Sequence, residues 1–230
     1  MNYNKRILRA EFINRPNRFH ANVIVNGEEI KVHVPNTGRC REILVPGCTV
    51  YLREENNPTR KTPYDLIAAI KGDKLISIDS HIPNKVVEEA LNNRKIEKLE
   101  EYTNVLREKT FGKSRFDFKI SKDNGEEYFL EVKGVTLEDE GYCRFPDAPT
   151  ERGARHLLEL VEAKKQGYGA GVMFLIQIED VEKFSPNDER DPKFGEALRF
   201  AASNGVDIFA YSCIVTEDGI EINKPIEIIL

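Results

Sequence analysis

The chain has 230 residues, of which 40% are hydrophobic and 32% are charged, and its formal net charge is −5. This length suits one large domain or two small ones, and the negative charge argues against a protein coated throughout for nucleic acid. No apolar run approaches a membrane span, and the N-terminus does not read as a signal peptide, so we expect a cytoplasmic protein. The cysteines form no Cys-x-x-Cys pair, which argues against a structural zinc site.

The charge is unevenly distributed along the chain. Residues 1–80 contain 13 Lys and Arg against 9 Asp and Glu, whereas residues 81–230 contain 21 against 30. A basic first part followed by an acidic second part predicts two domains, 1–80 and 81–230. The first is then the part that offers a positive surface to a polyanion.

Residues 1–80 contain several short β-type segments and no long helical pattern. Asn26-Gly27 separates two of them and is a strong hairpin signal. Many short strands in so few residues predict a small OB-like β-barrel, a fold that often binds single strands on one face. The predicted strands are Arg9–Ile13, Phe19–Val25, Glu29–Val34, Cys48–Leu52, Tyr64–Ile70 and Leu75–Ile78.

Basic side chains cluster early in this barrel. They form either a face that binds DNA phosphates or an ordinary solvated face. The turn that ends in Arg39 either holds a phosphate or carboxylate, as in a sugar-phosphate binder, or is a plain turn. The interleaved Phe12, Phe19 and His20 offer rings for stacking on bases; the alternative, which we expect, is that Phe12 and Phe19 fill the barrel interior. The arginines predicted to bind DNA are Arg15, Arg18, Arg39 and Arg41.

The second part alternates between helical and strand patterns. Asn84 is a good N-cap for a first helix, and Thr150 for a later one. A mixed sheet with helices on its faces follows, which makes the fold class α/β, or α+β for the whole chain. The predicted helices are Lys85–Leu91, Glu151–Gln166 and Asp191–Asn204, and the predicted strands are Phe116–Ile120, Tyr128–Val135, Ala170–Ile178, Val206–Val215 and the edge strand Glu221–Leu230.

One hairpin in this second part carries a chemical pattern. Glu131 and Lys133 share one strand face, and Asp117 on the preceding strand can come opposite them. Two carboxylates with a backbone carbonyl and waters make an oxygen-rich site for Mg²⁺ or Mn²⁺, and a neighbouring lysine can steady an attacking water. This pattern is the signature of the PD-(D/E)xK nuclease-like fold. The alternative is an exposed strand face with salt-bridged Glu and Lys.

Several longer phrases together resemble one family, the sugar fermentation stimulation protein A (SfsA) proteins. The resemblance runs from about residue 9 to residue 215. It implies an N-terminal OB-like domain, a C-terminal PD-(D/E)xK-like domain and binding to DNA. The phrases are FINRPNRFHANV, HVPNTGRCREILVPG, HIPNKVVEEAL, GKSRFDF, EVKGVTL, FPDAPTERGARHLLEL and DPKFGEALRFAASNGV.

The resemblance also implies roles for individual residues. Asp117, Glu131 and Lys133 match the metal and catalytic positions, with the metal held by the two carboxylates. The nuclease-like fold usually adds a carboxylate from its first helix, and either Glu88 or Glu89 fits, with Glu88 as our choice. On the helix after the hairpin, Glu151, Arg152 and His156 face either the site or DNA phosphates, or else solvent. Of these, Arg152 and His156 are predicted to bind DNA.

Three functions remain open at this point. The first is a DNA-binding protein without sequence specificity whose Mg²⁺-type site hydrolyses phosphodiesters, that is, a metal-dependent endonuclease. The second is a non-catalytic DNA-binding regulator of sugar metabolism genes. The third is a binder of small sugar phosphates. The expected partner is single- or double-stranded DNA, with no membrane, and a homodimer is left open as the oligomeric state.

Overall fold

The computed structural model describes residues 1–230, which divide into two compact units. We call them the barrel unit and the mixed-sheet unit. Neither is continuous in sequence, because each takes up segments from the last third of the chain. The barrel unit consists of Met1–Ile82, Gln177–Asp180 and Cys213–Glu221, and the mixed-sheet unit consists of Pro83–Ile176, Val181–Ser212 and Ile222–Leu230.

The barrel unit has six strands in the order β3-β2-β1-β4-β5-β6. A further parallel pairing of β3 with β5, at His33 and Asp65, closes the first five strands on themselves. The predicted OB-like barrel is therefore confirmed. The strands are β1 (Ile7–Asn17), β2 (His20–Val25), β3 (Glu28–His33), β4 (Thr49–Glu54), β5 (Tyr64–Lys71) and β6 (Lys74–Ser77).

The barrel interior is filled by aliphatic residues that alternate along the strands, as the pleat requires. Phe12 is buried among the core residues, as expected. Phe19 is 55% exposed, so the expectation that it fills the interior is wrong. It lies in the turn between β1 and β2, where the Asn17 carboxamide oxygen accepts hydrogen bonds from the backbone N–H groups of Phe19 and His20. The turn therefore points the ring away from the barrel.

The mixed-sheet unit carries the sheet order β15-β14-β12-β9-β8-β7. Strands β7, β8 and β9 run antiparallel, whereas β9, β12 and β14 run parallel, which confirms a mixed sheet accompanied by helices. The elements of this sheet and its helices are α1 (Ile82–Asn92), β7 (Asn104–Phe111), β8 (Ser114–Ser121), β9 (Glu127–Val135), α2 (Glu151–Lys165), β12 (Gly169–Ile176), α3 (Pro192–Ser203), β14 (Asp207–Thr216) and β15 (Gly219–Pro225). The end of β14 and the start of β15 fall within Cys213–Glu221 of the barrel unit.

A second, smaller sheet was not predicted. The segment between β9 and α2 contains two short strands, which join two later ones in the order β10-β11-β13-β16. Strands this short carry too few residues for an alternating pattern to be recognised. They are β10 (Glu138–Asp139), β11 (Tyr142–Phe145), β13 (Lys183–Pro186) and β16 (Glu227–Ile228).

Two of the three predicted helix starts hold in the structure. Thr150 caps α2 by accepting from the N–H of Gly153, and Asp191 caps α3 by accepting from that of Phe194. The N-cap prediction for Asn84 is wrong, because α1 begins at Ile82 and Asn84 lies inside its first turn. Its amide is therefore free to serve another purpose. No helix is long and apolar enough to cross a membrane.

Close packing explains two glycines in the central strand β12. Gly169 pairs with Tyr128 of β9. A Cβ atom at Gly171 would lie 2.2 Å from the Tyr128 hydroxyl oxygen, and one at Gly169 would lie 2.2 Å from its ring. That hydroxyl donates a 3.0 Å hydrogen bond to Asp207. The glycines therefore make room for a tyrosine that ties β9 to β14 across β12.

Candidate active site

The β8–β9 hairpin brings the two predicted metal carboxylates together. The register pairs Phe118 with Leu130, so Asp117 and Glu131 are the next residues along. One Asp117 oxygen, Oδ2, accepts a 2.8 Å hydrogen bond from the backbone N–H of Val132. The other, Oδ1, accepts a 2.7 Å bond from the Asn84 amide of α1. Asp117 is thus fixed from two sides, by the hairpin and by a helix.

Glu131 is 4% exposed and uses only one of its two oxygens. Its Oε1 accepts hydrogen bonds from Lys133 Nζ and from His156 Nδ1, both at 2.6 Å. Its Oε2 is buried and has no partner. A buried oxygen without a partner is costly, so its presence calls for an explanation. Oε1 therefore has two hydrogen-bond donors, whereas Oε2 has none.

The protonation of His156 follows from its two contacts. Arg152 Nε lies 3.3 Å from His156 Nε2, and a guanidinium can only donate. Nε2 therefore accepts, and the ring proton is on Nδ1, where it is donated to Glu131. His156 is 2% exposed, so the imidazole is held rigidly inside the unit. The position of His156 therefore determines which oxygen of Glu131 accepts its hydrogen bond.

The pKa values of the two carboxylates are shifted in opposite directions. Burial, together with the negative charge of Glu131, raises the pKa of Asp117 above its ordinary value. Burial works in the same direction on Glu131, but the hydrogen bond from His156 and the ammonium of Lys133 outweigh it and lower the pKa of Glu131. Neighbouring carboxyl groups whose pKa values are shifted in opposite directions are typical of functional sites.

These residues fit a hard divalent cation of the Mg²⁺ type. The unpartnered Glu131 Oε2 and the half-buried Asp117 carboxylate supply two oxygens, the ligand type that Mg²⁺ and Mn²⁺ prefer. No group of three His, Cys, Asp or Glu side chains is placed to hold a metal ion. A cation here would complete its shell with backbone oxygens and water, as Mg²⁺ usually does.

Glu88, the acid chosen from the first helix, forms an ion pair with Arg107 of β7 at 3.1 Å. The α1 residue that contacts Asp117 is Asn84, one turn earlier on the helix. Sequence reasoning missed this role of Asn84 because it assigned the residue to capping. The available signal was the spacing of four residues between Asn84 and Glu88, which puts both on one helix face.

The residues predicted to bind DNA fall into different environments. Arg152 is exposed on α2 and reaches His156 through Nε alone. His156 is buried with both ring nitrogens engaged, so it does not offer a donor to DNA, and the structure places it on Glu131 instead. Three of the four barrel arginines, Arg18, Arg39 and Arg41, are exposed and line one pocket.

Arg15, the fourth barrel arginine, has a different role. Its guanidinium donates to the backbone carbonyls of Arg18, Asn36, Gly38 and Arg39 at 2.5–3.0 Å. These acceptors occupy both Nη groups, and Nε is buried. Arg15 therefore supports the walls of the pocket, and its guanidinium is not available for the predicted contact with DNA. The acceptors are backbone carbonyls, which every residue has, so the sequence does not reveal which of them Arg15 contacts.

Two family models match the chain. Residues 13–78 match the SfsA N-terminal OB domain, and residues 81–219 match the sugar fermentation stimulation protein RE domain. The fold and the matches agree on the class of protein: an OB barrel followed by a mixed-sheet domain.

Curated relatives and a solved structure identify the family. A sugar fermentation stimulation protein homolog of Clostridium perfringens (strain SM101 / Type A) is 68% identical over 100% of both chains. A homolog of Clostridium acetobutylicum is 65% identical over 96% of each. The structure of Pyrococcus furiosus SfsA in complex with Ca²⁺ covers 100% of both chains, with 29% identity and a TM-score of 0.89. The chain belongs to the sugar fermentation stimulation protein family, which confirms the resemblance.

Proposed function

We propose that this protein binds DNA without sequence specificity and hydrolyses its phosphodiester bonds with a divalent metal ion held by Asp117 and Glu131. The observation that carries the proposal is the unpartnered, buried Glu131 Oε2 in the same site as a second, half-buried carboxylate, that of Asp117. Two acids that repel each other in a buried site are stabilised by a shared cation. Without a cation, the arrangement only costs folding free energy.

The metal in this proposal is Mg²⁺ or Mn²⁺. The Ca²⁺ complex of the P. furiosus relative supports a divalent cation in this family. Calcium, magnesium and manganese share a preference for oxygen ligands. When bound, such a cation lowers the pKa of a coordinated water and neutralises charge on a phosphate.

The side chains around the carboxylates would each have one task. Lys133 places its ammonium beside Glu131, where it can hold an attacking water or the negative charge that develops on a phosphate. His156 holds Glu131 Oε1 and so leaves Oε2 for the cation. Asn84 and the Val132 N–H hold Asp117 in place. The rigid hairpin keeps all of these groups in register.

Binding without sequence specificity follows from the kind of groups available. The exposed arginines Arg18, Arg39 and Arg41 on the barrel, and Arg152 on α2, suit phosphate contacts, which carry no direct sequence information. Helices α2 and α3 are separated by β12 and β13, so they do not form a helix-turn-helix.

The test is cleavage of labelled single-stranded, duplex and branched DNA in Mg²⁺, Mn²⁺ or EDTA. Wild type is expected to give products only with metal, and Lys133→Met is expected to cleave about 10²–10³-fold more slowly while still binding the cation. Lys119→Met is the matched control, because Lys119 also pairs with a glutamate of this hairpin, Glu127 at 2.7 Å. Products formed in EDTA, or undiminished in Lys133→Met, would contradict the proposal.

The second candidate is a DNA-binding regulator of sugar metabolism genes that does not cleave. The exposed arginines of the barrel pocket favour it, since they could bind DNA without any metal. It predicts salt-sensitive binding and no metal-dependent products from any of the three DNA forms.

A further inference from the structure

We propose that the arginine pocket of the barrel unit binds the phosphorylated end of a DNA single strand, recognising a phosphate monoester rather than internal phosphodiesters. This inference rests on the proposed DNA binding and is independent of the metal site. The pocket has a volume of about 450 Å³. That volume is within the range of about 300–1,000 Å³ usual for small-ligand sites. A pocket of this volume can hold one nucleotide of a single strand. A DNA duplex is too wide to enter it.

The charge of the pocket is unbalanced. Arg18, Arg39 and Arg41 line it, and no acidic residue does. None of these three forms an ion pair, whereas Arg53 and Arg60 in the same unit are paired with Asp65 and Glu55. Three unpaired guanidinium groups around one cavity favour an anion of more than one charge. A phosphate monoester carries about −1.5 to −2 at neutral pH, against −1 for an internal phosphodiester.

Arg15 builds the pocket by joining its two walls. Arg18 belongs to the turn between β1 and β2, and Arg39 belongs to the loop between β3 and β4. Arg15 Nη2 donates to the Arg18 carbonyl at 2.6 Å, and Arg15 Nη1 donates to the Gly38 and Arg39 carbonyls at 2.7 and 3.0 Å. One side chain therefore holds both walls at a fixed separation, which lowers the entropy cost of binding.

The loop wall is anchored a second time. The Asn36 amide donates to the Ile78 carbonyl at 2.7 Å, and its carboxamide oxygen accepts from the Gly38 N–H at 2.7 Å. The pocket is thus preformed. Its lining also includes the apolar side chains of Phe12, Leu44 and Pro46. An apolar surface beside three arginines suits a ligand that combines a phosphate with a sugar.

An exposed aromatic residue next to Arg18 in the chain favours a nucleic acid end over a free sugar phosphate. Phe19 follows Arg18 directly and is 55% exposed. An exposed phenylalanine in a turn stabilises little by itself. Stacking of a base on such a ring contributes about 1–3 kcal/mol and tolerates any sequence. An unpaired strand end offers both a phosphate and a free base, and a sugar phosphate offers only the first.

The experiment is fluorescence anisotropy with one single-stranded oligonucleotide carrying a 5′-phosphate, a 3′-phosphate or neither, in EDTA to prevent cleavage. At least one phosphorylated form is expected to bind at least about tenfold more tightly than the unphosphorylated form. The Arg18→Ala/Arg39→Ala variant is expected to lose this difference. Arg9→Ala is the matched control, because Arg9 is an exposed arginine of β1 outside the pocket, and it is expected to keep the difference.

Arg15→Lys tests the supporting role of Arg15. A lysine retains the charge but cannot bond both walls at once, so the preference for phosphorylated ends is expected to fall while binding of unphosphorylated strands persists. An unchanged preference in this variant would contradict that role. Its melting temperature, measured alongside, identifies a variant that has simply unfolded.

Three outcomes would overturn the inference. They are equal affinity of wild type for all three oligonucleotides, a preference that survives in Arg18→Ala/Arg39→Ala, and competition by a sugar phosphate as effective as by a deoxynucleoside monophosphate. Equal, salt-sensitive binding would leave the proposed DNA binding intact and reject only the pocket. No binding of any oligonucleotide or duplex at low salt would instead reject the DNA binding itself.

Discussion

The protein has two charged regions that differ in sign and in exposure: an acidic site with hydrogen-bonded carboxylates and a pocket with exposed arginines. In the mixed-sheet unit, Glu131 is buried and Asp117 is half-buried. The two carboxylates accept hydrogen bonds from Asn84, the Val132 backbone, Lys133 and His156. In the barrel unit, Arg18, Arg39 and Arg41 of the pocket are exposed and form no ion pair. Buried charges need partners to remain charged, whereas exposed ones do not. The first region is therefore suited to a fixed ion, and the second to an exchangeable polyanion.

The difference predicts how each region responds to its surroundings. A buried metal site depends on hydrogen-bond geometry and pH and is little screened by salt. An exposed arginine pocket depends on ionic strength and hardly on pH, because arginine stays protonated. The following changes separate the two regions, starting from the largest expected effect.

Removal of either metal carboxylate is expected to have the largest effect. Asp117→Asn and Glu131→Gln each remove a cation ligand, and a bound metal contributes several kcal/mol to the transition state, which corresponds to about 10³-fold or more in cleavage rate. Affinity for DNA in EDTA is expected to stay within about twofold of wild type, because the arginines are untouched. Single-turnover cleavage and anisotropy on the same preparations check both; full cleavage activity in either variant would contradict the site.

Lys133→Met is expected to lower cleavage by about 10²–10³-fold, the usual effect of removing one group that stabilises developing charge. Its Ca²⁺ affinity is expected not to fall, because the ammonium beside Glu131 repels a cation. Calorimetric titration with Ca²⁺ measures this. Loss of Ca²⁺ binding would mean that Lys133 organises the site rather than acting in the reaction.

His156→Ala is expected to weaken Ca²⁺ binding by about 10–100-fold, as is usual when a group that orients a metal ligand is removed. The change leaves Glu131 free to rotate, so Oε2 is no longer presented. His156→Asn restores an N–H donor near the Nδ1 position and is expected to recover most of the affinity. A role in packing alone would predict that both variants bind Ca²⁺ equally.

Lower pH is expected to weaken metal binding through Asp117. Its pKa is raised, whereas that of Glu131 is lowered, so Asp117 takes up a proton first as the pH falls. Below the raised pKa, each pH unit is expected to reduce Ca²⁺ affinity about tenfold, since binding must then displace one proton. DNA affinity in EDTA should stay constant over the same range. A flat Ca²⁺ profile would show that Asp117 is not a ligand.

Single arginine substitutions in the pocket are expected to have the smallest effects. Arg41→Ala should weaken binding of single strands a few-fold and lower the slope of log K against log [salt] by about 0.7. Ca²⁺ affinity should not change, because Arg41 belongs to the other unit. An unchanged salt slope would remove Arg41 from the DNA-binding surface.

Much of this architecture could be predicted from local pattern. The barrel follows from short alternating strands and turn residues, and the carboxylate pair follows from the strand period and the spacing of Asp117 and Glu131. The hairpin turn between them keeps the pairing local in sequence. Local constraints of this kind are what a sequence expresses most directly.

The missing parts depend on contacts that are distant in sequence. The sequence shows the spacing of His156 from Arg152 but not the burial of His156, and so predicts a DNA contact for it. The pattern predicts Asn84 as a cap, because α1 starts three residues earlier than the predicted Lys85. The sequence does not distinguish Arg15 from the other arginines, since its acceptors are backbone carbonyls more than 20 residues away as well as a local one.

The most direct test of the account is a calorimetric titration of Ca²⁺ into wild type and Glu131→Gln at neutral pH, because every further step requires Asp117 and Glu131 to share one cation. We predict one site per chain in wild type, a rise in melting temperature that follows its occupancy, and neither effect in Glu131→Gln. Equal Ca²⁺ binding by the two proteins would place the cation elsewhere and contradict the account.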